Sequence, residues 1–183
     1  EISDFSDLVE TPLTEQLYVV DGLYKRPVVE IKRDDGRTEV LNETDKGVYK
    51  IEIMPDDTLK DLNSAVVEDF LTKYVEYTAA GYTDAGSKSK FGAMLDCAME
   101  KTQAYEILYS TRNSFVQNLP CDILSLDINT YDYRKWGDNC FSCTADFTAE
   151  LRNFSYKTDQ ITGWKLYFTE KNDKWYLVKL NFE

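Results

Sequence analysis

Polar and apolar residues alternate most cleanly between Phe141 and Leu151. Phe141, Cys143, Ala145, Phe147, Ala149 and Leu151 fall on one side, and Ser142, Thr144, Asp146, Thr148 and Glu150 on the other. A period of two belongs to a strand with one face in a core and one toward water. Upstream, Leu124, Leu126 and Ile128 alternate with Ser125, Asp127 and Asn129, and Tyr131 to Asp138 reads as a turn carrying Trp136-Gly137. Downstream, Ile161–Phe168 and Lys174–Phe182 flank a polar segment ending in Asn172-Asp173, the pattern of an antiparallel hairpin. Trp164, Leu166 and Phe168 share a face of the first arm. In the second arm Tyr176, Val178, Leu180 and Phe182 share one face, with Trp175 and Leu177 on the other. An arm apolar on both sides is expected mid-sheet or covered on both faces.

Ahead of these strands the period changes to that of a helix. Leu59, Leu62, Val66, Phe70, Tyr74 and Tyr77 recur at three- and four-residue steps, with Val67, Leu71, Val75 and Thr78 as an adjacent row. They predict a helix with a broad apolar face, opened by a Thr58/Asp61 capping pair and closed by Ala79-Ala80-Gly81. Residues 82–90 form a polar connection. A second helical stretch runs from Phe91 to Phe115, either as one helix or as two with a break near 101–103, and Asn118 and Pro120 stop it. Residues 1–15 read as an arm or loose edge. From Gln16 short β segments separated by Asp21-Gly22 and Asp34-Asp35-Gly36 suggest a small meander, with Pro27 marking an edge or a break. Helices followed by about four antiparallel strands make an α+β protein. The expected division is a β-rich N-terminal extension or lobe at 1–57 and an α+β domain at 58–183.

Composition narrows the function classes. A chain that is 43% hydrophobic and 14% aromatic has ample material for a packed core, so it is not a disordered protein. Its 33 acidic and 21 basic residues give a net charge of −12. Residues 1–61 hold 16 acidic and 8 basic groups (net −8) and residues 62–183 hold 17 and 13 (net −4). Such a surface repels phosphate backbones and anionic bilayers, so neither a nucleic-acid partner nor direct membrane insertion is expected. No apolar run approaches the roughly 20 residues a membrane span needs. Residue 1 is Glu rather than Met, and the chain is expected to be processed or trimmed there. Histidine is absent, which removes the commonest general base and metal ligand together.

The order of elements resembles the nuclear transport factor 2-like superfamily, in which a curved antiparallel sheet wraps around helices as a cone. The residues that carry the resemblance are the helix at 63–80, the helical stretch at 91–115, the strand at 140–154, and the closing hairpin with Trp164 and Trp175-Tyr-Leu-Val-Lys179. The first 60 residues lie outside the usual cone. The resemblance implies either a catalytic domain of the isomerase or dehydratase type, or a non-catalytic module of bacterial envelope, conjugation or cell-wall proteins. The Asp–His pairs of the catalytic members have no counterpart in this histidine-free chain.

Several constellations remain. Cys140-x-x-Cys143 has half-site spacing for metal or redox chemistry, but within a strand it places its thiols on opposite faces, and Cys97 and Cys121 stand alone. No metal site or cofactor is expected. Ser87-Lys-Ser-Lys90 matches Ser-x-x-Lys without its partner motifs, and no catalytic residue is assigned. Asp127, Asp132 and Asp138 depart from a cation loop at the positions that need Gly and Glu. Asp146 belongs to the outer face by pattern. Tyr74, Tyr105, Tyr109 and Trp164 could line the mouth of a cone, where aromatic walls suit a small ligand or a peptide; an ordinary place in the core is the alternative. The expected function is a non-enzymatic ligand-binding or protein-interaction module, extracytoplasmic, secreted or anchored at the cell surface. The alternative is an isomerase or dehydratase using Asp or Glu with Tyr.

Overall fold

The structure, a computed structural model, describes residues 29–32, 38–41, 55–83, 89–115, 117–137 and 139–181. The arm at 1–15, the turns at 21–22 and 34–36, Pro27, the strand at 48–53, Ser87, Asp138 and Phe182 lie outside the described residues. The chain divides into two compact units, with residues 8–53 in the smaller one. There β1 (Val29–Lys32) and β2 (Thr38–Leu41) pair antiparallel, Val29 opposite Leu41 and Lys32 opposite Thr38.

Among its described residues the larger unit has three α-helices and a four-stranded sheet. Helix α1 spans Thr58–Ala80 and buries Val67, Phe70, Leu71, Val75 and Tyr77 along the predicted rows. Its start differs from the expected capping pair: Asp56, not Asp61, accepts both the Thr58 backbone N–H (3.0 Å) and its hydroxyl (2.7 Å). An acceptor preceding the first turn can reach its orphan N–H groups, which a residue inside the turn cannot. Gly81 ends the helix at φ +54°, where a Cβ would run into the Asn118 carbonyl oxygen. Both the left-handed backbone and the close approach require glycine. The second helical stretch is two helices, α2 (Lys90–Leu95) and α3 (Gln103–Ser110). The break is wider than expected because residues 97–99 act as strand: Leu177 N–H donates to the Cys97 carbonyl (2.7 Å) and Met99 N–H to that of Leu177 (3.0 Å).

The sheet is antiparallel and curved, in the order β3 (Asp122–Gly137), β4 (Cys140–Arg152), β5 (Tyr156–Lys171), β6 (Lys174–Asn181). The unit is therefore α+β, with helices packed on one face of four strands. The predicted interior set of β4 holds throughout, Phe141 to Leu151 all being at most 2% exposed. Asn172 and Asp173, at φ 54° and 59°, form the two-residue turn of the closing hairpin.

Three departures share one cause, the β-bulge, which adds a residue to one strand and breaks the period of two. Residues 131–137 are strand rather than turn, with Asp132 and Tyr133 together opposing Cys143 between the pairs Tyr131–Thr144 and Arg134–Ser142. In β6, Val178 is the inserted residue, so Leu177 and Leu180 both enter the core while Val178 faces away with Cys140. The expected grouping of Val178 with Leu180 is thus wrong. In β5, Thr162 and Gly163 together oppose Asp146, and Gly163 adopts φ +70°. Asp146 is more than a solvated outer residue: its Oδ1 accepts the Gly163 N–H at 2.7 Å and the Tyr131 hydroxyl at 3.2 Å, fixing the bulge.

Candidate functional site

The face of the sheet toward the helices is filled. Trp164 packs edge-on to Tyr74 (ring centroids 5.0 Å apart) and against Phe70 (5.9 Å) and Phe147 (6.4 Å). Phe141 stacks on Phe168 at 5.0 Å, with Trp175 edge-on at 4.9 Å. Trp164, Phe70, Phe141, Phe147, Leu166 and Phe168 are each at most 2% exposed. Burying a side chain of this size contributes about 1.5–3 kcal/mol. The region that a cone would offer to a ligand is therefore occupied by the protein's own rings.

Open space lies where α1 ends. A cavity of about 370 Å³ is bounded by Thr78 of α1, by Phe115 and the loop 117–121, and by Leu151, Asn153, Lys157 and Asp159 of the β4–β5 hairpin. Its walls are held by backbone hydrogen bonds. Cys121 N–H donates to the Ala79 carbonyl (2.8 Å) and Tyr82 N–H to that of Asn118 (2.9 Å), joining the loop to the end of α1. Asn153 then shapes the hairpin turn. Its Oδ1 accepts the Ser155 N–H (3.2 Å) and its Nδ2 donates to Cys121 Sγ (3.3 Å). Beside this cavity the turn carries Phe154, 93% exposed, and Tyr156, 78% exposed. Two aromatic rings facing water at a hairpin tip, next to a concavity with apolar and charged walls, form a surface suited to recognition.

The four aromatic residues singled out in the sequence fall into two groups. Tyr74 and Trp164 meet in the core, Trp164 at 1% exposure. Tyr105 and Tyr109 stack on each other on α3 at 6.1 Å, with Phe91 of α2 against Tyr109 at 6.2 Å. Tyr77, on the same predicted row of α1 as Phe70 and Tyr74, packs on Phe91 and Phe115 and donates its hydroxyl to the Thr111 carbonyl at 2.8 Å. Burial, with the nearby negative charge of Asp159 as a smaller cause, pushes the Tyr74 phenol up to about 12. Tyr74 therefore keeps its proton at neutral pH. The residues that sequence reasoning missed are Phe154 and Tyr156. The signal was there: two aromatics flanking Ser155 between polar strand ends, where turns ordinarily carry small polar residues.

Cys140, Cys143, Cys121 and Asp132 each have structural partners. Cys143 points into the main core and Cys140 into a second cluster with Val178, so their thiols lie on opposite sides of the sheet as the spacing predicts. Burial pushes the Cys143 thiol up to about 12. All four cysteines are free. Cys121, in the cavity wall, has Asn153 Nδ2 and the Leu119 carbonyl as neighbours rather than a base. Asp132 is engaged by Arg134, whose Nη2 donates to both carboxylate oxygens at 3.1 and 3.0 Å. Among the described residues no helix is long and apolar enough to cross a membrane.

No family model matches this sequence, and no curated protein matches it. Among solved structures the chain is similar to an "Ntf2 like protein involved in plasmid conjugation", with 12% identity over 85% of this chain and a TM-score of 0.39. The chain spans 55% of the length of that structure. At this level of similarity nothing about activity or partner carries across, and the α+β assignment rests on the strand order and packing described above.

Proposed function

We propose that the protein is a non-enzymatic interaction module of a bacterial secreted or cell-envelope protein. It takes a segment of another protein at the β4–β5 tip, an apolar side chain of that segment entering the cavity between α1 and the hairpin. One contrast carries this reading: the helix-facing side of the sheet is packed solid, while Phe154 and Tyr156 stand in water beside an open cavity. Exposed aromatic rings bring large contact area at low conformational cost, which is why they anchor interfaces. A peptide library selected on the wild-type protein should yield binders whose NMR shifts map to residues 117–121 and 151–159. The double variant Phe154→Ser, Tyr156→Ser should lose them at unchanged melting temperature. Binders that map elsewhere, or that survive the double substitution, overturn the assignment.

The rival enzymatic reading has one observation in its favour, the proximity of Asp159 in the cavity wall to Tyr74. It requires turnover of a small carbonyl or hydroxy substrate that disappears in Asp159→Asn. The expectation is that a substrate panel shows none above buffer. Compartment has its own test. A membrane-impermeant maleimide added to intact cells should label the half-exposed Cys97 and Cys121. Labelling only after lysis would contradict an extracytoplasmic location.

A further inference from the structure

The opposite face of the sheet, away from the helices, carries a recess independent of the hairpin tip. The strand registers place Arg134, Ser142, Tyr167 and Lys179 side by side across β3 to β6, with Thr144 and Lys165 paired in the neighbouring row. The alternation predicts that Ser142 and Thr144 face water, yet they are 7% and 5% exposed. Longer side chains stand around them. Trp136 folds over β4 and donates its Nε1–H to Ser142 Oγ at 2.8 Å. Arg134, Lys165 and Tyr167 complete the rim of a cavity of about 190 Å³ with the two hydroxyls in it.

Among the described residues, the lining of this recess holds two cations, Arg134 and Lys165, and one carboxylate, Asp132. In a chain of net −12, Arg134 and Lys179 stand in this row and Lys165 in the neighbouring one. Lys179 lies over the Tyr167 ring at 5.7 Å. Among the described residues Asp132 is the carboxylate of the rim, and it engages Nη2 of Arg134, one of the three nitrogens of a group with five N–H donors. Asp132 holds that position at φ 57°, in the bulge of β3 where it and Tyr133 together oppose Cys143. A left-handed non-glycine residue persists only where its surroundings enforce it. Here the bulge brings Asp132 into the rim beside Arg134.

Guanidinium, ammonium and two hydroxyls in a recess between an indole and a phenol are the chemistry that binds a carboxylate borne on a flat apolar group. We propose that this recess is a binding site for such a carboxylate, its two oxygens held by Arg134 and Lys165 and its ring between Trp136 and Tyr167. Two sources offer this chemistry, a free arylalkanoic acid and the C-terminus of a peptide ending in an aromatic residue.

The test uses the whole chain and four probes followed by NMR: 3-phenylpropionate, its amide, and a hexapeptide ending in Phe with a free or an amidated terminus. At least one carboxylate should shift the Trp136 indole N–H and the amides of 142–144 and 165–167. Its amide should bind roughly tenfold or more weakly, as expected for loss of a charge-assisted pair. Binding by the acid alone identifies a small molecule, and binding by the free-terminus peptide alone identifies a chain terminus. Arg134→Gln and Lys165→Gln should each weaken binding by a similar factor. Should either variant fold poorly, the contrast between acid and amide on the wild-type protein still decides. Equal binding of acid and amide, shifts confined to other faces, or no response to either carboxylate at millimolar concentration would overturn the proposal.

Discussion

Tyr74 and Cys143 keep their protons in the folded protein at pH values where the unfolded chain has released them. Burial raises the phenol from 10.0 to about 12 and the thiol from 9.0 to about 12, and burial moves Tyr133 in the same direction. When a folded-state value lies above the unfolded one, the unfolded chain loses protons first as pH rises. The stability these groups contribute is complete below pH 9 and drains away toward pH 12. The melting temperature should fall across that window and fall less steeply in Cys143→Ala; a flat profile from pH 9 upward would contradict the burial of these groups. Thiol reactivity offers a second test at this scale. Cys97 and Cys121, half-exposed, should react with a maleimide in the native protein, and Cys140 and Cys143 only after denaturation. Fast native labelling of Cys143 would mean that β4 does not face the helices.

At the scale of elements, the outer edge of β6 is closed by side chain as well as by backbone. Gln103, at the start of α3, accepts the Leu180 N–H through Oε1 (2.9 Å) and donates Nε2 to the Leu180 carbonyl (2.8 Å), so one amide side chain replaces a neighbouring strand. Residues 97–99 do the same for Leu177, and Lys174 Nζ donates to the Asp96 carbonyl at 3.1 Å. An edge left unpaired is a template for association with other chains. Gln103→Ala should destabilise by about 1–3 kcal/mol, the usual cost of stranding buried polar partners. It should also speed hydrogen exchange at Leu180 and raise the tendency to self-associate. Exchange at Leu180 equal to wild type would show that the amide does not hold the edge.

At the scale of the molecule, the α+β order, the four antiparallel strands, the interior face of β4 and the turn at Asn172-Asp173 were all legible in the sequence. Each is set by local periodicity or local turn chemistry. What was not legible depended on register. Nothing in the run Tyr131–Gly137 or Trp175–Asn181 marks where an extra residue is inserted, so the turn at 131–138 and the partner of Leu180 were misread. The burial of Ser142 and Thr144 could not be read either, because the side chains that cover them sit on β3 and β5. The aromatic residues expected at a cone mouth illustrate the same limit: Trp164 and Tyr74 have the composition of a binding wall and the contacts of a core.

A filled interior sends function to the surface. Denaturant unfolding of Trp164→Ala tests it directly. Removing an indole that is 1% exposed and packed on Phe70, Tyr74 and Phe147 should cost about 3–5 kcal/mol and move the unfolding midpoint far down. A midpoint close to wild type would place Trp164 against a cavity, contradict the filled interior, and return the helix-facing side of the sheet as the place to look for a ligand.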